Sequence, residues 1–369
     1  MVHVRHIVRQ FHPAVGGLED AVANLAAELA RQGIDGSVVT LDRAFGDPAT
    51  VMPSSDSYRD IPITRIPYRG SSRYPIAPGV LQQLDGADIV HVHGIDFFFD
   101  FLALTRLVHH KPLVASTHGG FFHTSFASRA KRVFFQTATR ASARGYDRIF
   151  GSSESDAAMF RQIAPRTTIA IENGVNIEKW RDAASHEAVP TLLFIGRFSV
   201  NKNVAALIAL VAALDPAWRL IIAGQPSDLT GDDLRDEAAR LGVADRVEVV
   251  TGADDATLRT LVGRASYVAS ASRYEGFGLS VVEGMSAGLT PILSGIAPFE
   301  RLVAGSGCGV IVDMDDPAGA AHAVQALHAA RSPGARAANM AAVQVYSWTG
   351  VAAKFAAEYR AVLAARAAA

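Results

Sequence analysis

Short apolar runs alternate along this chain with longer stretches whose apolar residues recur at helical spacing. The runs are rich in Val, Ile and Leu and are bounded by polar or Gly-containing segments, so they read as buried strands. In the first half they cover residues 2–8, 38–41, 63–66, 89–92, 113–116, 149–151 and 168–171, with a helix over 17–32. The second half restarts the rhythm, with strands over 191–195, 219–223, 247–250, 268–270, 290–293 and 309–312. Helices are predicted between them over 204–214, 232–241, 256–265 and 280–287. Strands alternating with helices imply parallel sheets joined by right-handed crossovers. Two such series imply an α/β protein of two doubly wound, Rossmann-like domains, with ligands at the carboxyl ends of the strands. A polar stretch over 182–190, closed by Pro190, places the boundary, giving domains over 1–182 and 190–346. Residues 347–369 then form one Ala-rich helix, with Val351, Phe355, Tyr359 and Val362 along one stripe.

Composition adds limits to this picture. The chain has 369 residues, 49% hydrophobic and 19% charged, as two globular domains require. A net charge of −1 excludes a dedicated nucleic-acid binder. The single cysteine, Cys308, excludes an internal disulfide and a thiolate metal cluster, and points to a reducing compartment. The first eight residues read as a strand rather than a signal peptide, and no run is long enough to span a bilayer. The neutral total conceals an asymmetry. Residues 1–181 carry +3, the remainder −4, and residues 120–150 alone +5. That last segment sets Arg129, Lys131 and Arg132 among Phe121, Phe122, Phe126, Phe134 and Phe135. Two readings of it stay open: contact with an anionic membrane surface, or a solvated helix face over core aromatics.

Four segments carry candidate chemistry. In Glu275-Gly276-Phe277-Gly278-Leu279 the glycines free the backbone just before a helix, so its amides can meet a phosphate. Glu283 lies one turn into that helix, and Glu275 lies on the other side of the phosphate position. The loop after the strand 191–195 carries Arg197 and Lys202, suited to a departing diphosphate. Gly16 and Gly17 follow the first strand and open the first helix, although without the G-x-G-x-x-G dinucleotide fingerprint. His118, at the end of the strand 113–116, precedes Gly119 and Gly120. His91 and His93 alternate on one strand, but no nearby carboxylate pattern completes a metal site. Asp313-Met314-Asp315 follows a late strand, away from these motifs.

Together these segments resemble the retaining glycosyltransferases of family 4, which have the GT-B fold: two Rossmann-like domains facing a central cleft. The match covers the E-x7-E segment, the Gly196-Arg197…Lys202 loop, the Gly16-Gly17 loop and His118, with Trp348 opening a terminal helix that in the family crosses back to the N-terminal domain. Residues 118–124, 151–156 and 283–289 are similar to the bacterial exopolysaccharide mannosyltransferases. The resemblance implies transfer of mannose from GDP-mannose to a polyprenyl-diphosphate-linked glycan, cellobiosyl-diphosphopolyprenol, at the inner face of the cytoplasmic membrane. It implies an N-terminal acceptor domain and a C-terminal donor domain. By the same resemblance Arg197 and Lys202 hold the donor diphosphate, Glu283 the ribose and Glu275 the mannose hydroxyls. Phe277, Gly278 and Leu279 give amides to phosphate and sugar, while His118 contacts the sugar and Gly16 and Gly17 admit the donor phosphate. Asp254 is placed against a guanine edge, and Ser153 and His123 on the acceptor side. No cofactor is implied, and metal independence is expected. Two alternatives stay open: another nucleotide sugar or acceptor, and a catalytically silent nucleotide-sugar-binding protein.

Overall fold

The aliphatic runs form strands because they are flanked on both faces by helices that bury them, which is the setting a parallel sheet needs. The computed structural model describes residues 2–14, 16–72, 74–118 and 132–368. It divides into two units, one of residues 1–174 with 348–369, the other of residues 175–347.

In the first unit the strands are β1 (Val2–Val8), β2 (Ile34–Leu41), β3 (Ser55–Tyr58), β4 (Ile61–Ile66), β5 (Arg69–Ser71), β6 (Tyr74–Ile76), β7 (Ile89–His93), β8 (Leu113–Ser116), β9 (Arg148–Gly151) and β10 (Thr168–Ala170). Eight of them form one sheet in the order β10-β9-β8-β7-β1-β2-β4-β3. All pairs are parallel except β3 with β4. The helix Gly17–Arg31 covers one face with Leu25 and Leu29. The helix Trp348–Ala367 lies in the same core through Val351, Phe355, Tyr359 and Val362, against Val4, Ile89, Val114 and Phe150. Trp348 sits so close to Gly174 that a Cβ there would fall 2.3 Å from the indole.

The second unit holds β11 (Thr191–Ile195), β12 (Arg219–Gly224), β13 (Val247–Thr251), β14 (Tyr267–Ser270), β15 (Thr290–Ser294) and β16 (Val310–Val312), in the order β13-β12-β11-β14-β15-β16. Every pair is parallel. This is the doubly wound 3-2-1-4-5-6 order, and its strand order reverses between β11 and β14. The division at residue 174 precedes the polar stretch over 182–190. Val175, Ile177, Trp180 and Ala184 are buried in the core of the second unit, with Val262, Val282 and Leu293.

Candidate functional site

In the second unit the loops after β11 and β14 leave the sheet at its switch point, where a doubly wound fold places ligands. The first loop carries Arg197 and Lys202, and the second carries Glu275. Although 73 residues apart in sequence, Lys202 and Glu275 form an ion pair between partly buried side chains. Ser272 Oγ donates to the same carboxylate oxygen at 2.9 Å. Asn201 ties the two loops together: its amide donates to the Tyr274 carbonyl at 2.9 Å, and its own carbonyl accepts from Arg273 N at 2.9 Å. Arg197, on the same loop as Lys202, is exposed.

After Glu275 the chain turns through Gly278 at φ +90° into the helix Leu279–Ser286. A side chain at Gly278 is barred twice over, by that backbone and by Phe299, whose ring edge lies 2.6 Å from the Cβ position. The free amides of the first helical turn are an anion-accepting end. Gly276 and Phe277 lead into this turn, and the Phe277 ring packs edge-on against Tyr346 at 5.0 Å. Leu279 is exposed. Glu283, one turn in, has its pKa pushed up by burial, partly opposed by the Lys179 cation. Lys179, in turn, pairs with Asp255 at 2.8 Å.

Asp254 is exposed and caps the helix Asp255–Val262, accepting from Thr257 N at 2.8 Å, which lowers its pKa. One expectation is overturned. Asp313 and Asp315 are not remote from the other motifs: with Asn203, Ser272, Arg273 and Ser294 they line a cavity of about 490 Å³. The parallel order β14-β15-β16 brings the loops after all three strands to one edge, whatever their distance in sequence.

The first unit has its own switch point, between β1 and β7. There Arg9, Leu18, Gly94, Ile95, Asp96, Thr117 and His118 line a cavity of about 240 Å³. His118 sits at φ +50°, a conformation non-glycine residues seldom adopt, with its amide donating to Ser152 Oγ at 2.9 Å. Burial pushes its pKa down to about 4, so the ring is neutral at pH 7. Its Nε2 lies 2.9 Å from Nδ1 of His93, whose Nε2 lies 2.9 Å from Nδ1 of His6. His91 stands apart from this chain, bonded to Tyr359 Oη at 2.7 Å and to Ser116 Oγ at 2.8 Å. Gly16 caps the helix Gly17–Arg31, which Gly17 opens. Ser153 caps the helix Glu154–Arg161, its hydroxyl accepting from Asp156 N at 3.2 Å. Arg132 is exposed, whereas His123, Arg129 and Lys131 lie outside the described residues.

Sequence reading missed Ser272, Lys179, Ser152, His6 and Asp96. Asp96, three residues past the end of β7, caps the helix Phe97–Leu104, accepting from Phe98 N at 2.9 Å. Burial raises its pKa to about 6. An Asp between a strand end and an apolar helical run was the available signal for it.

Comparison with known proteins bears on what these clusters handle. The family described as glycosyl transferases group 1 matches residues 176–342. Glycosyltransferase family 4 matches residues 15–179. A GDP-mannose:cellobiosyl-diphosphopolyprenol alpha-mannosyltransferase of Komagataeibacter xylinus is 48% identical over 98% of this chain and 93% of its own length. Its namesake from Xanthomonas campestris is 47% identical over 98% of this chain and 97% of its own. A phosphatidyl-myo-inositol mannosyltransferase of Mycolicibacterium smegmatis is 29% identical over 84% of this chain and 80% of its own. Among solved structures, a glycosyltransferase from Rickettsia africae matches with a TM-score of 0.74 over 98% of each chain, at 15% identity. Sucrose-phosphate synthase from Thermosynechococcus elongatus matches at 0.70 over 99% of this chain and 100% of its own, at 20% identity. At such identities the likeness is one of fold.

Proposed function

This chain belongs to glycosyltransferase family 4, with a group 1 glycosyl transferase module as its second half, and on that premise we propose that it moves α-mannose from GDP-mannose to a polyprenyl-diphosphate-linked glycan. Its two doubly wound units are those of the GT-B fold. The observation that carries the substrate reading is identity of 47–48% along nearly the whole chain to two proteins named for that donor and for cellobiosyl-diphosphopolyprenol. The first unit takes the acceptor and the second the donor.

The donor's mannose is α-linked and so is the product's, so configuration at the reacting carbon is retained. In the proposed reaction the bond from C1 to the β-phosphate oxygen breaks, and the acceptor oxygen bonds C1 on the same face. The acceptor's proton passes to the departing phosphate. Lys202 and Arg197 neutralise the charge that grows on that diphosphate. The amides of Phe277, Gly278 and Leu279 hold phosphate and sugar, and Gly16 and Gly17 admit the donor phosphate. Glu283 takes the ribose hydroxyls and Glu275 the mannose hydroxyls. His118, neutral, meets the sugar from the first unit. Ser153 belongs to the acceptor side, and Asp254 faces the base with whichever lone pairs its capping bond leaves.

Incubation with GDP-[14C]mannose and cellobiosyl-diphosphopolyprenol is expected to label the lipid, and an unlabelled lipid would sink the substrate assignment. The base is tested separately by thermal shift. GDP at about 100 times its Kd should raise the unfolding midpoint of the second unit by about 5–10 °C, with UDP and ADP moving it less. A larger shift with UDP would transfer the reading to another nucleotide sugar.

A lipid-borne acceptor calls for contact with the membrane, and we extend the proposal to it. No helix among the described residues is long and apolar enough to cross a bilayer. Leu104, which ends the helix Phe97–Leu104, and Leu107 and Val108, in the helix Arg106–His109 that follows, are 82%, 85% and 72% exposed. The helix Arg140–Ala143 packs on that segment through Ser142 and Asp100, at 2.7 Å, and carries Arg140, with Arg144 following it. Apolar tips beside arginines suit an anionic bilayer. Co-sedimentation with phosphatidylglycerol vesicles should fall about tenfold or more when Leu104, Leu107 and Val108 are all changed to Ser, since each apolar side chain contributes about 1.5 kcal/mol. Unchanged sedimentation removes this surface from the proposal.

A further inference from the structure

Three histidines run in line from the centre of the first sheet to the cavity at its edge. His6 on β1 and His93 on β7 are fully buried, while His118 opens onto the cavity lined by Arg9, Asp96 and Thr117. The two contacts that join them are ring nitrogen to ring nitrogen, each at 2.9 Å. A buried imidazole brings little to a parallel sheet that an aliphatic residue would not, and it adds polar atoms that must be satisfied. The array therefore needs a reason other than packing. Metal binding does not supply it. His6, His91 and His93 bring their nitrogens within 4.8 Å of one another. However, His91 already holds Tyr359 and Ser116, and the facing nitrogens of His6 and His93 hold each other.

Proton counting leaves two arrangements. All three rings are neutral, so each has one N–H and one bare nitrogen. If His6 donates from Nδ1 to His93, then His93 has its own proton on Nδ1 and must donate to His118 Nε2. His118 is then left with its N–H on Nδ1. In the reverse arrangement His118 donates from Nε2, His93 donates from Nε2 to His6, and the last N–H stands on Nε2 of His6. That atom is buried without a hydrogen-bond partner. An orphaned buried N–H is the rarer and costlier defect, about 1–3 kcal/mol, whereas a bare ring nitrogen in an apolar site is tolerated more easily. The first arrangement is therefore favoured, and the inner end of the array selects the proton position at the outer end.

We propose that His6 and His93 are positioning residues: a buried relay that fixes His118 as the Nδ1–H tautomer, so that it presents a hydrogen-bond donor to the cavity. This rests on the reading that His118 contacts the transferred sugar, and adds which atom does so and in which protonation form. With Nδ1–H set in advance, a sugar oxygen meets a donor without a tautomer change during turnover. The left-handed backbone at residue 118 and its amide bond to Ser152 hold the ring's base while the relay holds its proton.

The full chain labelled with 15N at histidine is suited to the test. Two-bond 1H–15N correlation spectra, assigned by single substitutions, are expected to show His6, His93 and His118 all protonated on Nδ1. A His118 signal from the Nε2–H form in the unchanged protein overturns the proposal, with no folding of any variant required. His93→Phe should lower kcat about tenfold with little change in KM for GDP-mannose. His93→Asn, whose side-chain amide can donate from near the Nδ1 position, should restore most of that loss. If His118→Ala abolishes transfer while His93→Phe leaves kcat and the His118 tautomer unchanged, the relay is refuted and the His118 assignment stands. If His118→Ala transfers mannose normally, the His118 assignment fails, and the spectra still decide the tautomer.

Discussion

Replacing Lys202 with Ala lowers kcat for mannosyl transfer by an expected 10²–10³-fold, one of the two largest effects the structure leads to. The size follows from where charge develops. The departing nucleoside diphosphate gains a full negative charge, and removing one preorganised partner of such a charge costs about 2.7–4 kcal/mol in the transition state. Lys202 is already aimed, through its ion pair with Glu275 and the ties that Asn201 makes across the two loops. Glu275→Gln should also lose activity, and more in kcat than in KM, because it releases Lys202 and alters a sugar contact together. Neither change should unfold the chain, since Ser272 still holds the Glu275 carboxylate when Lys202 is gone. Radiometric initial rates with thermal midpoints measured alongside check both. Lys202→Ala turning over like the unchanged protein would refute the leaving-group role.

The second large effect is on stability in mild acid. Burial holds His6 down to about 3, His118 to about 4, and His91 and His93 well below their ordinary value of 6.5. Depressed pKa values in the folded state mean that this stability is fully present above pH 6.5 and is lost as pH falls from there towards the folded values. Asp96, raised to about 6, works the other way between pH 6 and 4 and offsets about one of these protons. About three protons then separate the unfolded from the folded first unit near pH 5, or about 4 kcal/mol for each pH unit. Domains are commonly stable by about 5–15 kcal/mol, so the first unit should unfold between about pH 3 and 5.5. Urea titrations followed by circular dichroism from pH 7 to 5 should show this slope, and His6→Asn should reduce it by about one proton. A free energy constant over that range would sink the prediction.

Much of this fold was legible because a parallel sheet buries each strand on both faces and leaves continuous apolar runs. Strands β1, β8 and β11 end where the pattern placed them. The antiparallel β3 and the β5–β6 hairpin were not legible: Ser55–Tyr58, Arg69–Ser71 and Tyr74–Ile76 are short and largely exposed, and show no apolar alternation. The helices Ala297–Ser306, Pro317–Ala329 and Ala335–Ala342 escaped because alanine and glycine dilute their periodicity.

For the candidate site, glycines before a helix and cations after a strand could be read locally. What joins them could not. Lys202 meets Glu275 only because β11 and β14 are neighbours at the switch point. His6 was overlooked because a histidine in the strand Val2–Val8 carries no local sign of its partners across the sheet. The doubly wound order places β7 beside β1, and the register sets His6 opposite His91, with His93 two residues on. Strand order, once inferred, would have exposed that cluster.

The first unit is built from two pieces of chain with the whole second unit between them. Ribosomes deliver residues in order, so the first sheet is made early and waits for Val351, Phe355 and Tyr359 to cover Phe150 and His91. The inserted unit, residues 175–347, is synthesised before that helix. The half synthesised first is thus finished last, and until then it exposes a strip of unprotected core to the cell's folding machinery.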